Sequence, residues 1–191
     1  EQSSLRNAES LIRFGAEKLS SISNVPRLEA EVLLSNLLKI NPIKFHTDDI
    51  GISLKIMDKF ESMIESRFKG MPIAYLIGKK EFWSLDFEIN PSVLVPRPET
   101  ELLIENAIEL FKDHESPRIL ELGTGSGIIS IVLYKELVTP EITATDISDE
   151  ALYVAKNNAD RHQIKDIDFL VSDWFSEIKN KKYDLIISNP P

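Results

Sequence analysis

The sequence predicts an α/β chain in which a small helical bundle and a β-hairpin linker precede a parallel sheet wound by helices. Three observations carry that prediction. Residues 4–69 keep a helical apolar period, residues 70–98 switch to alternation broken by prolines, and from Glu99 onward helices and strands take turns. Strands alternating with helices imply right-handed parallel crossovers. The expected domains are 1–69, 70–98 and 99–191.

In the first segment Leu5, Ala8, Leu11, Ile12, Ala16 and Leu19 recur on one helical side. Pro26 suits the first turn of a second helix, with Asn24 as candidate N-cap and Arg27–Leu38 as its body. Asn41-Pro42 ends it. Ser53 to Phe68 forms a third amphipathic stretch whose apolar side is Leu54, Met57, Phe60, Met63, Ile64 and Phe68. Periodicity alone describes a bundle with no chemistry of its own. Between Gly70 and Pro98, Phe82, Leu85, Phe87 and Ile89 alternate as short strands, punctuated by Asn90-Pro91 and Pro96-Arg97-Pro98. The remaining elements are helix Glu99–Phe111, strand Arg118–Leu122, helix Gly127–Leu137, strand Ile142–Asp146, helix Asp149–Arg161 and strands Ile167–Val171 and Tyr183–Ser188.

Composition narrows the function. With 191 residues, 42% hydrophobic and 28% charged, the chain can bury a core without staples, and it has no cysteine for thiolate metal sites or nucleophiles. His46, His114 and His162 show no metal-ligand spacing, so no metal is expected. Apolar runs such as Ile128–Leu133 are too short to span a bilayer and no basic-then-apolar leader opens the chain, so the expectation is a cytoplasmic protein without a membrane partner. The net charge of −9 is uneven: residues 1–80 carry 12 Lys+Arg against 10 Asp+Glu, residues 81–191 carry 10 against 21. An acidic second half disfavours tracking of a phosphate backbone, so direct nucleic acid binding is not expected. A protein substrate or small ligand fits better.

Glu121-Leu122-Gly123-Thr124-Gly125-Ser126-Gly127 follows a predicted strand and opens a predicted helix, where glycines let backbone approach a ligand. A dinucleotide fingerprint would need glycine at 128, which is Ile128. The E-x-G-x-G-x-G spacing instead resembles the Rossmann-like S-adenosylmethionine methyltransferases. Asp146, ending the next strand, can accept both hydroxyls of a ribose, since Ser148 already supplies the following helix start. Asp173 can accept from an adenine amine, and Trp174 reads equally as a side chain flanking that ring or as core.

The last predicted strand runs into Asn189-Pro190-Pro191, which resembles the N-P-P-[YF] motif of methyltransferases acting on amide or exocyclic amine nitrogens. Such nitrogens are poor nucleophiles because the lone pair is delocalised. The Asn189 side-chain oxygen and the Pro190 carbonyl can accept both N–H groups and aim the nitrogen, and the prolines stiffen that presentation. No base is needed beforehand, because methylation makes the nitrogen more acidic.

Taken with Arg67-x-x-Gly70-x-Pro72-x-x-Tyr75-x-x-Gly78, Glu81-Phe82-Trp83-Ser84, Val95-Pro96-Arg97-Pro98-Glu99-Thr100-Glu101 and Ser172-Asp173-Trp174-Phe175, these motifs resemble the HemK/PrmC family in collinear order over nearly the whole chain. Members of that family are peptide chain release factor glutamine methyltransferases. The resemblance implies a helical domain that docks a class I release factor, a hairpin linker and a catalytic domain that methylates the glutamine of a Gly-Gly-Gln tip. It implies S-adenosylmethionine as cofactor and S-adenosylhomocysteine as product, held by Gly123, Thr124, Gly125, Ser126, Gly127, Asp146, Asp173, Trp174 and Asn189. Asn189, Pro190 and Pro191 would hold the substrate glutamine, in a monomer. The family's aromatic residue and later strands would follow Pro191, so the stretch reads as a fragment, as does its start without Met. Rival readings are the sister enzymes acting on a large-subunit ribosomal protein, disfavoured by Pro98-Glu99-Thr100-Glu101, and a nucleic acid adenine methyltransferase, disfavoured by the acidic half. A cofactor- or release-factor-binding module without catalysis is the third.

Overall fold

The structure, a computed structural model, describes residues 7–178 and 181–190. The chain forms two compact units, Glu1–Ile77 and Gly78–Pro191.

The first unit is helical. Helix α1 (Ala8–Leu19) starts at Asn7, whose side chain accepts from the Ser10 N–H at 3.0 Å; Leu5 lies outside the described residues. Helix α2 (Pro26–Leu38) has its proline in the first turn as expected, but Val25 caps it rather than Asn24. A proline at the first helical position makes its predecessor the cap and keeps that residue out of helical backbone, so Val25 sits at φ −135° with no side-chain acceptor to offer. Asn41 caps a short 3-10 turn over Pro42–His46, and α3 (Leu54–Phe68) follows. The stretch expected as linker begins with a further helix, α4 (Ile73–Ile77), whose Ile73, Leu76 and Ile77 pack on the helical core. Five residues are too few to display a period.

Leu11, Ile12, Leu33, Leu34, Phe60 and Ile64 are fully buried there. Each such side chain contributes about 1.5–3 kcal/mol relative to exposure. A Cβ at Gly15 would meet Ile64 Cδ1 and Phe60 Cζ at 2.9 Å, so glycine is what lets α1 lie this close to α3. Arg67 grips Glu29 with two hydrogen bonds, Nε to Oε2 at 2.9 Å and Nη2 to Oε1 at 3.1 Å, joining α3 to α2.

The second unit opens with an antiparallel hairpin, β1 (Lys79–Phe82) and β2 (Leu85–Glu88). Its two turn residues, Trp83 and Ser84, have φ of 54° and 56°, the left-handed values that match hairpin twist. Next come α5 (Glu99–Phe111), β3 (Arg118–Leu122), α6 (Ile128–Glu136), β4 (Glu141–Asp146), α7 (Asp149–Arg161), β5 (Ile167–Val171) and β6 (Leu185–Ser188). The last strand is shorter than expected because Asp184 is already committed, its carboxylate accepting from the Arg118 N–H at 2.8 Å. Strands β3 to β6 form a parallel sheet in the order β5-β4-β3-β6. The chain moves outward from β3 to β5 and then returns to the other side of β3. This reversal puts a topological switch point between the carboxyl ends of β3 and β6, where open α/β sheets hold ligands.

Candidate functional site

Strand β3 delivers the glycine loop to that switch point. Gly123, Gly125 and Gly127 have φ of 69°, 55° and 80°. A Cβ at Gly127 would also sit 3.0 Å from the Ala155 Cβ of α7, so that glycine serves both the turn and the packing. Above Gly123 and Gly125 nothing lies within 4 Å of a Cβ position. The loop therefore offers bare backbone, which fits close approach of a ligand.

Residues 124–127 of the loop are each anchored from a different direction. The Thr124 N–H donates to Thr145 O at 2.8 Å and the Gly127 N–H to Thr124 O at 2.9 Å. The Thr124 hydroxyl donates to Glu121 Oε2 at 2.8 Å. The Gly125 N–H donates to Asp146 Oδ2 at 2.9 Å, and Asn158 Nδ2 on α7 donates to Ser126 O at 2.9 Å. Asn158 is fully buried and also pairs with Glu88 of the hairpin, accepting from its N–H at 2.7 Å and donating to its carbonyl at 3.1 Å. Hairpin, α7 and glycine loop thus meet at one amide.

Glu121 is 1% exposed. Its Oε2 accepts from the Thr124 hydroxyl and from the N–H and hydroxyl of Ser130. Burial nonetheless pushes its carboxyl from 4.5 up to about 7, the hydrogen bonds from Ser130 and Thr124 opposing part of the rise. The loop spacing alone assigns Glu121 no role. In the structure it binds loop and α6 together.

Asp146, at the carboxyl end of β4, has both oxygens engaged: Oδ2 by Gly125 and Oδ1 by the Ser148 N–H at 3.0 Å. Ser148 itself caps α7 as expected, accepting from the Ala151 N–H. Each carboxylate oxygen can accept a second bond, so Asp146 keeps capacity for a ligand hydroxyl. Beyond β5, the Ser172 N–H donates to Asp146 O at 2.9 Å, which brings the Ser172–Phe175 segment to the same end of the sheet. Trp174 is 59% exposed, at φ 48°, with its carbonyl accepting from the Ser172 hydroxyl. It is not a core residue. Asp173 is exposed beside it.

On the opposite flank β6 ends at Ser188, whose hydroxyl donates to Leu122 O at 2.8 Å, and Asn189 follows. Asn189, Thr100, Pro96, Glu121 and Gly123 to Ser126 line one cleft of about 50 Å³. Pro190 is exposed, and Pro191 lies outside the described residues. Asn189 Nδ2 donates to the Thr100 hydroxyl oxygen at 2.8 Å. Asp173 and Trp174 do not line this cleft. Thr100 is a site residue that sequence reasoning does not find, because 89 residues separate it from Asn189. Among the described residues no group of His, Asp and Glu has metal-binding geometry, and no helix is long and apolar enough to cross a membrane.

The PrmC N-terminal domain family matches residues 10–78, and the Methyltransferase small domain family matches residues 98–191. A release factor glutamine methyltransferase of Shewanella oneidensis is 36% identical over 181 residues, 94% of this chain and 63% of that protein. One from Coxiella burnetii is 38% identical over 177 residues, 92% of this chain and 64% of its own length. Among solved structures, a ribosomal protein L11 methylase from Lactobacillus delbrueckii aligns over 49% of this chain and 47% of its own, with 32% identity and a TM-score of 0.44. The chain spans a little under two thirds of the length of the curated relatives it matches.

Proposed function

Since the chain belongs to the HemK/PrmC family, with the family's N-terminal and methyltransferase domains in order, we propose that the full-length protein methylates the side-chain amide nitrogen of a glutamine in a release factor. The supporting observation is the position of Asn189: it leaves β6 beside the glycine loop with its amide nitrogen bonded to Thr100 and, among the described residues, no hydrogen bond on its oxygen. The substrate glutamine is that of a Gly-Gly-Gln tip in a class I factor, and the protein works in the cytoplasm.

The cofactor proposed is S-adenosylmethionine, which supplies an electrophilic methyl group and leaves as S-adenosylhomocysteine. The bare backbone at Gly123 and Gly125 fits its methionine part, Asp146 its ribose, and the exposed Asp173 and Trp174 its adenine. Asn189 Oδ1 and the Pro190 carbonyl accept the two N–H groups of the glutamine amide. That pairing fixes the amide plane so that the nitrogen lone pair faces the methyl, and the gain is realised as the new C–N bond forms. The surplus proton then leaves the nitrogen for solvent. A proline at position 191 disfavours helical backbone at Pro190, which suits this presentation. The helical unit, slightly basic by sequence, supplies the docking surface for the factor.

Mass spectrometry of a release factor incubated with the full-length protein and cofactor tests the reading. One methyl group on the Gly-Gly-Gln glutamine is expected. Methylation elsewhere on the factor, or of nucleic acid alone, would overturn it. Asn189→Ala should slow transfer by about 3–4 kcal/mol, the scale of one preorganised contact to a transition state.

A further inference from the structure

Asn189 makes its one side-chain hydrogen bond, among the described residues, to Thr100. Thr100 is 5% exposed and lies in the first turn of α5, where its N–H donates to Arg97 O at 3.0 Å. Two prolines, Pro96 and Pro98, lead into that turn, so the hydroxyl is carried by stiff backbone at the wall of the cleft. An asparagine amide on its own has two orientations, related by a half-turn, that exchange an acceptor for a pair of donors. Only one suits a substrate amide that brings N–H groups.

We infer that Thr100 is a positioning residue for methyl transfer: it holds the Asn189 nitrogen so that the oxygen faces the substrate amide. This rests on the proposed role of Asn189. A threonine hydroxyl can accept or donate, but in the orientation present here it accepts from the Asn189 amide nitrogen. The substrate's donors then select that orientation, because the reverse would set N–H against N–H. Without the tether, the amide must be immobilised during the reaction itself, and part of the orientation is lost. The Pro-Arg-Pro-Glu-Thr-Glu segment thereby acquires a role in the chemistry, setting the far wall of the substrate site and aiming Asn189 from it.

The test uses the full-length protein, a release factor and single-turnover kinetics, with cofactor Kd and Tm measured on every variant. Thr100→Val keeps the shape but removes the acceptor, and should lower the transfer rate about tenfold, the scale of one neutral hydrogen bond. Cofactor Kd should not change. Thr100→Ser should restore the rate, and Thr100→Ala should match Thr100→Val. In an Asn189→Ala background Thr100→Val should cost nothing more, which a merely structural role would not give. A wild-type rate for Thr100→Val while Asn189→Ala is slow would overturn the inference alone, as would an equal loss in the Asn189→Ala background. A wild-type rate for Asn189→Ala would overturn the glutamine-holding role and this inference with it.

Discussion

Replacing Glu121 with Gln should make the protein more stable at alkaline pH and leave it little changed in acid. The wild-type carboxyl is buried, and burial lifts it from 4.5 to about 7. A carboxyl whose folded value lies above its unfolded value binds more protons folded than unfolded between the two, so stability falls as pH rises through that window. The penalty is absent below 4.5 and complete above about 7. The gap of roughly 2.5 units corresponds to about 3 kcal/mol, at 1.36 kcal/mol per unit. Glutamine is neutral throughout and keeps one oxygen, enough to accept from Thr124 and Ser130, so it sheds the penalty while retaining the anchor. Urea denaturation of both proteins from pH 4.5 to 8 gives the difference directly, other titrating groups cancelling in the comparison. The Gln variant should gain steadily up to pH 7 and then level off. A pH-independent difference, or a wild-type protein that gains on the variant as pH rises, would refute the assignment of the charge cost to this burial.

Asp146→Ala should weaken S-adenosylhomocysteine binding by about 1.5–3 kcal/mol in calorimetry, since it removes the proposed acceptor for the ribose and frees the Gly125 N–H; an unchanged Kd would contradict both roles. Asn158→Leu should destabilise by about 2–4 kcal/mol in thermal or urea unfolding, because it strands the Glu88 N–H and carbonyl and the Ser126 carbonyl in a buried place. Its cofactor Kd should rise as well, through the freed Ser126. Deleting the helical unit through Ile77 should raise KM for the intact release factor while leaving cofactor Kd unchanged, the pattern of lost uniform binding; an unchanged KM would remove the docking role.

What the sequence makes legible follows from how local each signal is. Helices α5 and α7 and strands β3 and β5 begin and end as the periodicity predicts, because a cap or a charge pattern marks the ends and an apolar run fills the middle. Ser148 is legible as a cap for the same reason: its acceptor serves an N–H three residues away. Asn24 misleads because proline shifts the cap to whichever residue precedes it, regardless of chemistry. Thr100 and Asn158 carry no local mark. Their partners lie 89 and 70 residues away, and only tertiary packing brings them together. Trp174 is ambiguous in sequence, since an aromatic residue after a strand packs or protrudes with equal ease. In the structure its side chain protrudes, 59% exposed, while its carbonyl is held by the Ser172 hydroxyl.

The wiring of the glycine loop also says which ligands suit it. A loop that cradles phosphate keeps its N–H groups free to converge on the anion. Here the N–H groups of Thr124, Gly125 and Gly127 are already given to Thr145 O, Asp146 and Thr124 O. The Asp146 carboxylate stands directly behind the loop and would oppose a second negative charge placed over it, as would Glu121 once it is ionised above about pH 7. A pyrophosphate would meet spent donors and acidic neighbours. A ligand without phosphate, carrying a sulfonium and a ribose with two hydroxyls to donate, meets open backbone and a carboxylate with capacity to accept. The same three glycines that in another spacing receive a dinucleotide are tied down here by their neighbours, and the selectivity lies in Glu121, Asp146 and Asn158 more than in the glycines themselves.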